Sequence, residues 1–140
     1  MKYYTEDEKR ILMMNPFVLF IRDDKAIEYD PAFKLWCVFT KKSHPEKSCK
    51  SMFMECDFDM NIISNRLPYK RIKRWEERFD TFGPEWFLDD YEYARKMNCL
   101  FEFMYPSRSL VNNSDIKKRI YKEVQIYVEN YKRQTSSNRL

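Results

Sequence analysis

Glycine is almost missing: Gly83 is the one example in 140 residues. That excludes a phosphate-cradling glycine loop, a dinucleotide-binding fingerprint and a glycine-rich β-barrel, each of which needs positive-φ positions. Histidine is as scarce. His44 stands alone, beside Pro45, with no placed partner that would make it a general base. The carboxylates Asp57, Asp59, Asp89 and Asp90 read as turn and surface acids. No nucleophile with a nearby base is legible, so the chain is expected to be no enzyme and to need no cofactor.

Long apolar runs are absent too. No stretch approaches the ~18 apolar residues of a membrane span, so no membrane partner is expected. The run "ILMMNPFVLFI" is broken by Asn15 and Pro16 and lacks a cleavage-site pattern, so it reads as structure and not as a signal peptide. A cytoplasmic location follows as the expectation, with Cys37, Cys49, Cys56 and Cys99 as reduced thiols. No C-x₂-C pair occurs. His44 with Cys37, Cys49 or Cys56 is a conceivable zinc set. But Cys49 and Cys56 lie two helical turns apart, about 10 Å, too far to share an ion at ~2.3 Å bonds. Buried core thiols are the favoured reading, with no metal.

What is present is ample apolar and aromatic material, 44% and 17% of residues, together with 34% charged residues. This is enough for one domain with a real core. The net charge of +4 matters less than its layout. Arg66 to Arg78 holds six cations and two anions, and Lys117 to Arg139 holds seven and two. Between them, Asp80 to Arg95 holds five acids and one base. Two basic blocks around an acidic one point to a polyanionic partner met locally.

Thr5-x-x-Glu8 is a capping-box pattern that predicts a short first helix ending before Pro16. "FVLFIRDDKAIEY" predicts a hairpin turning at RDDK. Asp30-Pro31 predicts a helix start, and Phe33, Trp36, Cys37 and Thr40 follow at helical spacing. Ser43-x-x-Glu46 predicts a second capping box, opening a helix with Cys49, Met52, Phe53 and Cys56 on one stripe. Pro68 starts the next helix, where Tyr69, Ile72, Trp75 and Phe79 share an apolar face. "PEWFLDDYEYARKMNCLFEFMY" predicts one long helix, "PSRSLVNNS" a loop, and Ile116, Ile120, Val124, Tyr127 and Tyr131 the inner face of a last helix. The expected fold is all-α: a trihelical helix-turn-helix core with a small N-terminal β-hairpin and a C-terminal helical extension. The expected partition is 1–80, then an extension over 81–134, then a frayed tail over 135–140.

The segment "SNRLPYKRIKRWEERF" carries the functional reading. Lys70, Arg74 and Arg78 repeat every fourth residue opposite the apolar face, with Arg71 and Lys73 at the flanks. Such a ridge can meet phosphates and release counterions, and arginine can also grip guanine edges. The candidate nucleic-acid-binding residues are Arg66, Tyr69, Lys70, Arg71, Lys73, Arg74 and Arg78.

Residues 11 to 80 also resemble small helix-turn-helix domains encoded by insertion sequences and related mobile elements of Gram-positive bacteria. The matching pieces are Asn15, Pro16, Val18, Ile27, Tyr29, Phe33, Lys34, Pro45, Phe53, Phe58, Asp59, Arg74 and Trp75. Asp57 stands where the family has a glycine, and the glycine between the first two helices is missing. The resemblance implies a non-enzymatic DNA-binding or regulatory protein of a mobile element or phage, acting on double-stranded DNA. It implies no transposition chemistry, since no integrase-type core follows. The competing expectation is a small inhibitor of the anti-CRISPR kind. Its acidic segment Asp80 to Glu92 would meet a basic protein target, such as a nuclease. A homodimer through the C-terminal helices is expected if two reading heads are needed.

Overall fold

Thr5 opens the first helix as its sequence requires. A computed structural model describes residues 3–137, and in it the Thr5 hydroxyl accepts from the Glu8 amide while the Glu8 carboxylate accepts from the Thr5 amide. Helix α1 spans Glu6–Met13. The chain then turns at Asn15, whose side chain is buried and accepts from the Phe17 amide at 2.8 Å. The same side chain donates to the Cys56 carbonyl, 41 residues away in sequence. Strands β1 (Val18–Arg22) and β2 (Ala26–Tyr29) pair antiparallel, with an irregularity between Val18 and Phe20. Asp23 and Asp24 make the turn at φ 54° and 60°. Two successive positive φ values are what a tight hairpin turn demands, and Asp tolerates them better than most residues.

Helix α2 (Pro31–Ser43) is the centre of the fold. Asp30 caps it, accepting from the Ala32 amide at 2.8 Å. Every residue from Pro31 to Thr40 is buried except the half-buried Lys34. A helix apolar on all sides must be surrounded. It is enclosed by α3 (Cys49–Glu55), α4 (Leu67–Phe82), α5 (Glu85–Leu88), α6 (Tyr91–Met104) and α8 (Asp115–Ser137). Helix α7 (Arg108–Asn112) packs on α6. The core is aromatic: Tyr29, Phe33, Phe53, Phe58 and Trp75 have ring centroids 5.0–6.3 Å apart. A second group joins Phe39 and Phe79 to Tyr127 and Tyr131 of α8. The chain is thus mainly helical with one two-stranded hairpin among the described residues, and none of its helices is long and apolar enough to cross a membrane.

Several expectations need correction. Ser43 caps nothing, because α2 continues through it and the His44 amide closes onto Thr40. The Lys41 ammonium takes the carbonyls of Pro45 and Lys47, and α3 is capped later by Ser48. The single long helix after Gly83 is two helices, broken at Asp89-Asp90. Helix α5 packs on α2 and α4 while α6 reaches β1, and one straight rod cannot serve both. "PSRSLVNNS" is not a plain loop: it holds α7, which buries Arg108 and Val111. The Arg108 guanidinium donates to the carbonyls of Met13, Asn15 and Val18, clamping the turn before β1. Tyr69 leaves the apolar face and is 58% exposed, and Pro68 takes the inner position. Helix α8 runs to Ser137, so the expected tail is helical over 135–137; residues 138–140 lie outside the described residues.

Asp57 adopts φ 67° just after α3. This left-handed conformation, which glycine adopts most readily, is held here by an aspartate. Gly83 ends α4 at φ 74° with its amide bonded to the Phe79 carbonyl.

Candidate nucleic-acid interface

Helix α4 is amphipathic for a reason its sequence makes plain. Pro68, Ile72, Trp75 and Phe79 recur at helical spacing and face α2 and α3. Trp75 is only 5% exposed and stacks on Phe53 at 6.3 Å. This anchor fixes the rotation of the helix, and rotation decides which cations meet water. Lys70, Lys73 and Arg74 are exposed, Arg66 is exposed at the position before the first turn, and Arg71 and Arg78 are half-buried along the flanks.

None of these six cations is in an ion pair among the described residues. Two engage aromatic rings instead. The Lys73 ammonium lies 5.8 Å from the Tyr69 ring centroid, and the Arg78 guanidinium lies 5.8 Å from that of Trp86. Cations held over ring faces keep their charge available to an incoming anion.

Two hollows lie beside the ridge, and Arg74 and Arg78 line both. The outer one, about 610 Å³, is an open depression formed by α4 alone, from Tyr69 to Thr81. The inner one, about 340 Å³, lies between the hairpin, α2, α4 and the α5–α6 corner. Arg22, Lys34, Arg71, Arg74 and Arg78 line it with only two carboxylates, Glu28 and Asp90. Its aromatic lining is Tyr29, Trp75, Trp86 and Tyr93. Glu28 is already engaged: the Tyr93 hydroxyl donates to it at 3.2 Å and Arg22 lies at 3.8 Å. Burial pushes the Lys34 ammonium below the ordinary lysine range; Asp90, Glu28 and Asp30 oppose that shift, and Arg71 adds to it.

No protein-family model, curated protein or solved structure matches this chain. The chemistry of the site therefore rests on its own geometry. The sequence pattern picked out the α4 cations and missed Arg22, Lys34, Trp86 and Tyr93, which reach the inner groove from four other elements. One signal for Lys34 was present: it is the only charge between Pro31 and Thr40. A lysine inside an otherwise apolar, buried stretch marks a place where the core opens.

The possible zinc ligands are not gathered. His44 is exposed at the end of α2, 3.5 Å from Glu46, while Cys37, Cys49 and Cys56 are buried. Burial pushes all three thiols up, which favours the neutral form over the thiolate a metal requires. Among the described residues no group of three His, Cys, Asp or Glu side chains could hold an ion.

Proposed function

We propose that this chain is a non-enzymatic, helix-turn-helix-type DNA-binding protein of a mobile element or phage, with a role in transcription regulation, and that α4 carries the contact. One observation carries the reading. Six cations line a helix whose opposite face is locked by Trp75, and none is neutralised by a carboxylate among the described residues. Supporting it, α2, α3 and α4 touch one another pairwise, as a trihelical unit would. Lys70, Lys73, Arg74 and Arg66 take phosphates, Arg71 and Arg78 grip the flanks, and Tyr69 packs on the sugar-phosphate chain.

Fluorescence anisotropy with random-sequence duplex DNA across a salt series tests this. Each phosphate neutralised contributes ~0.9 to the log–log salt slope, so about four contacts give a slope steeper than about −3. Absence of binding at about 50 mM salt overturns the proposal, as does a slope near zero.

The inhibitor reading draws less support. Its acidic segment is largely engaged within the chain: Asp80 pairs with Lys42 at 2.9 Å, Glu85 with Lys132 at 3.4 Å, and Glu92 with Arg95 at 2.5 Å. For a homodimer, the inner face of α8 is occupied by α2. Along the C-terminal helices the exposed large apolar side chains lie chiefly on α6 and α7, with Phe103 and Leu110 the most prominent, while α8 exposes Ile126. Light scattering of the chain with Phe103→Ser checks that surface: it leaves a monomer where the unaltered protein is a dimer.

A further inference from the structure

The inner groove has properties that duplex binding along α4 does not use. Its cations converge from β1, α2 and α4 onto a concave space of about 340 Å³, within the ~300–1,000 Å³ range of small-ligand sites. A duplex lies across a convex ridge and does not enter such a space. Lys34 is the telling residue. It is half-buried, its ammonium has no hydrogen-bond or ion-pair partner among the described residues, and the Arg71 guanidinium is near enough to add to its discomfort. Five cations line this space against two carboxylates, Asp90 and the already engaged Glu28, so it carries an excess of positive charge that a bound dianion offsets. Beside the cations stand two aromatic rings, Trp86 with Arg78 over it and Tyr93 at the rim, which suit the flat face of a base.

We infer that this groove is a subsite for a nucleoside phosphate, with Lys34, Arg71 and Arg22 holding the phosphate and Trp86 and Tyr93 holding the base. It extends the nucleic-acid reading of α4 from the shared residues Arg74 and Arg78. Two sources present this chemistry: a free mononucleotide, and the phosphorylated end of a strand whose last base is unpaired. No bond is made or broken.

The test titrates the full-length protein, followed by calorimetry and tryptophan fluorescence, with thymidine 5′-monophosphate, inorganic phosphate, and single-stranded oligothymidylate bearing either a 5′-phosphate or a 5′-hydroxyl. The mononucleotide is expected to bind at least about tenfold more tightly than inorganic phosphate, because only it reaches the aromatic rings. Lys34→Met and Arg71→Gln should each weaken it about tenfold or more, and Trp86→Leu should weaken the mononucleotide without changing inorganic phosphate. A 5′-phosphate preference of about tenfold in the oligonucleotide identifies a strand end as the occupant, and tight mononucleotide binding without that preference identifies a free nucleotide. Either result supports the subsite. If Lys34→Met does not fold, the rim variant Arg22→Gln carries the same test. Failure of both the mononucleotide and the 5′-phosphorylated strand to bind overturns the inference, as does binding that Lys34→Met or Arg22→Gln leaves unchanged. A protein that shifts duplex DNA but ignores the mononucleotide keeps the α4 reading and loses this one. The reverse pattern keeps the subsite and loses the duplex.

Discussion

The two basic stretches, 66–78 and 117–139, look alike as sequence and end up in different states. At α4 the cations stand on an outward ridge and its flanks, with no carboxylate partner among the described residues. In α8 the cations are divided. Lys117 is 7% exposed and bonded to Asn112, with Asp30 at 3.9 Å. Arg119 meets Glu55 and Lys132 meets Glu85. Lys118, Lys122 and Arg133 are exposed, and Arg139 lies outside the described residues. Charge density in a sequence therefore does not separate a structural cation from an available one. The partner does, and the partner is set by packing.

The sharpest break in that comparison should come from the buried end of α8. Asp30 is fully buried. It caps α2, accepts from the Tyr121 hydroxyl at 2.5 Å and lies near Lys117. Burial disfavours both charges, pushing the Asp30 carboxyl up and the Lys117 ammonium down, and the donors from Tyr121 and Ala32 offset part of this for the carboxylate. Asp30→Ala strands a buried ammonium and removes a helix cap, so urea denaturation should register a loss of about 3–5 kcal/mol. An intact unfolding midpoint would mean that the α8 cations are as dispensable to the fold as those of α4.

Arg108→Met should follow. It leaves the carbonyls of Met13, Asn15 and Val18 without their donor and frees the turn that leads into β1. The expected cost is about 3 kcal/mol by urea denaturation, with hydrogen exchange rising first in β1. Burial already pulls this guanidinium down to about 10, which leaves it charged near neutral pH.

For α4 the pattern should invert. Lys70→Ala, Lys73→Ala and Arg74→Ala together remove exposed charge and little packing. Stability should move by less than about 1 kcal/mol. The salt slope for duplex DNA should fall by about three, roughly one for each phosphate that no longer meets a cation. A large change in melting temperature with an unchanged slope would reverse the roles assigned to the two stretches.

How far the sequence foretold this molecule depended on whether the deciding interaction was local. Thr5 with Glu8, Asp30 with Pro31, the Asp23-Asp24 turn and Pro68 act within a few residues, and each marked its element correctly. The Ile72, Trp75 and Phe79 face was legible because one period governs it. Tyr69 was misplaced because at the first turn of α4 the inner position goes to Pro68, a choice made by the neighbouring helices. The break at Asp89-Asp90 and helix α7 were not legible, since their causes lie in β1, α2 and α4, far along the chain. The inner groove was half legible. Its α4 wall followed from periodicity, but Arg22, Lys34, Trp86 and Tyr93 are 7 to 71 residues apart and meet only through the fold.

The smallest effect is the most discriminating. Lys118, Lys122 and Arg133 are exposed cations of α8 with no ion pair among the described residues, so in charge alone they match Lys70, Lys73 and Arg74. They differ in arrangement. Lys118 and Lys122 are one turn apart, but Arg133 lies three turns further on. If any local excess of positive charge suffices, their combined replacement by alanine should weaken duplex binding as much as the α4 triple does. If a continuous ridge is what a phosphate chain requires, the α8 triple should change affinity by less than about threefold and stability by less than about 0.5 kcal/mol. Equal losses from both triples would move the DNA footprint off α4 and leave the orientation imposed by Trp75 without functional consequence.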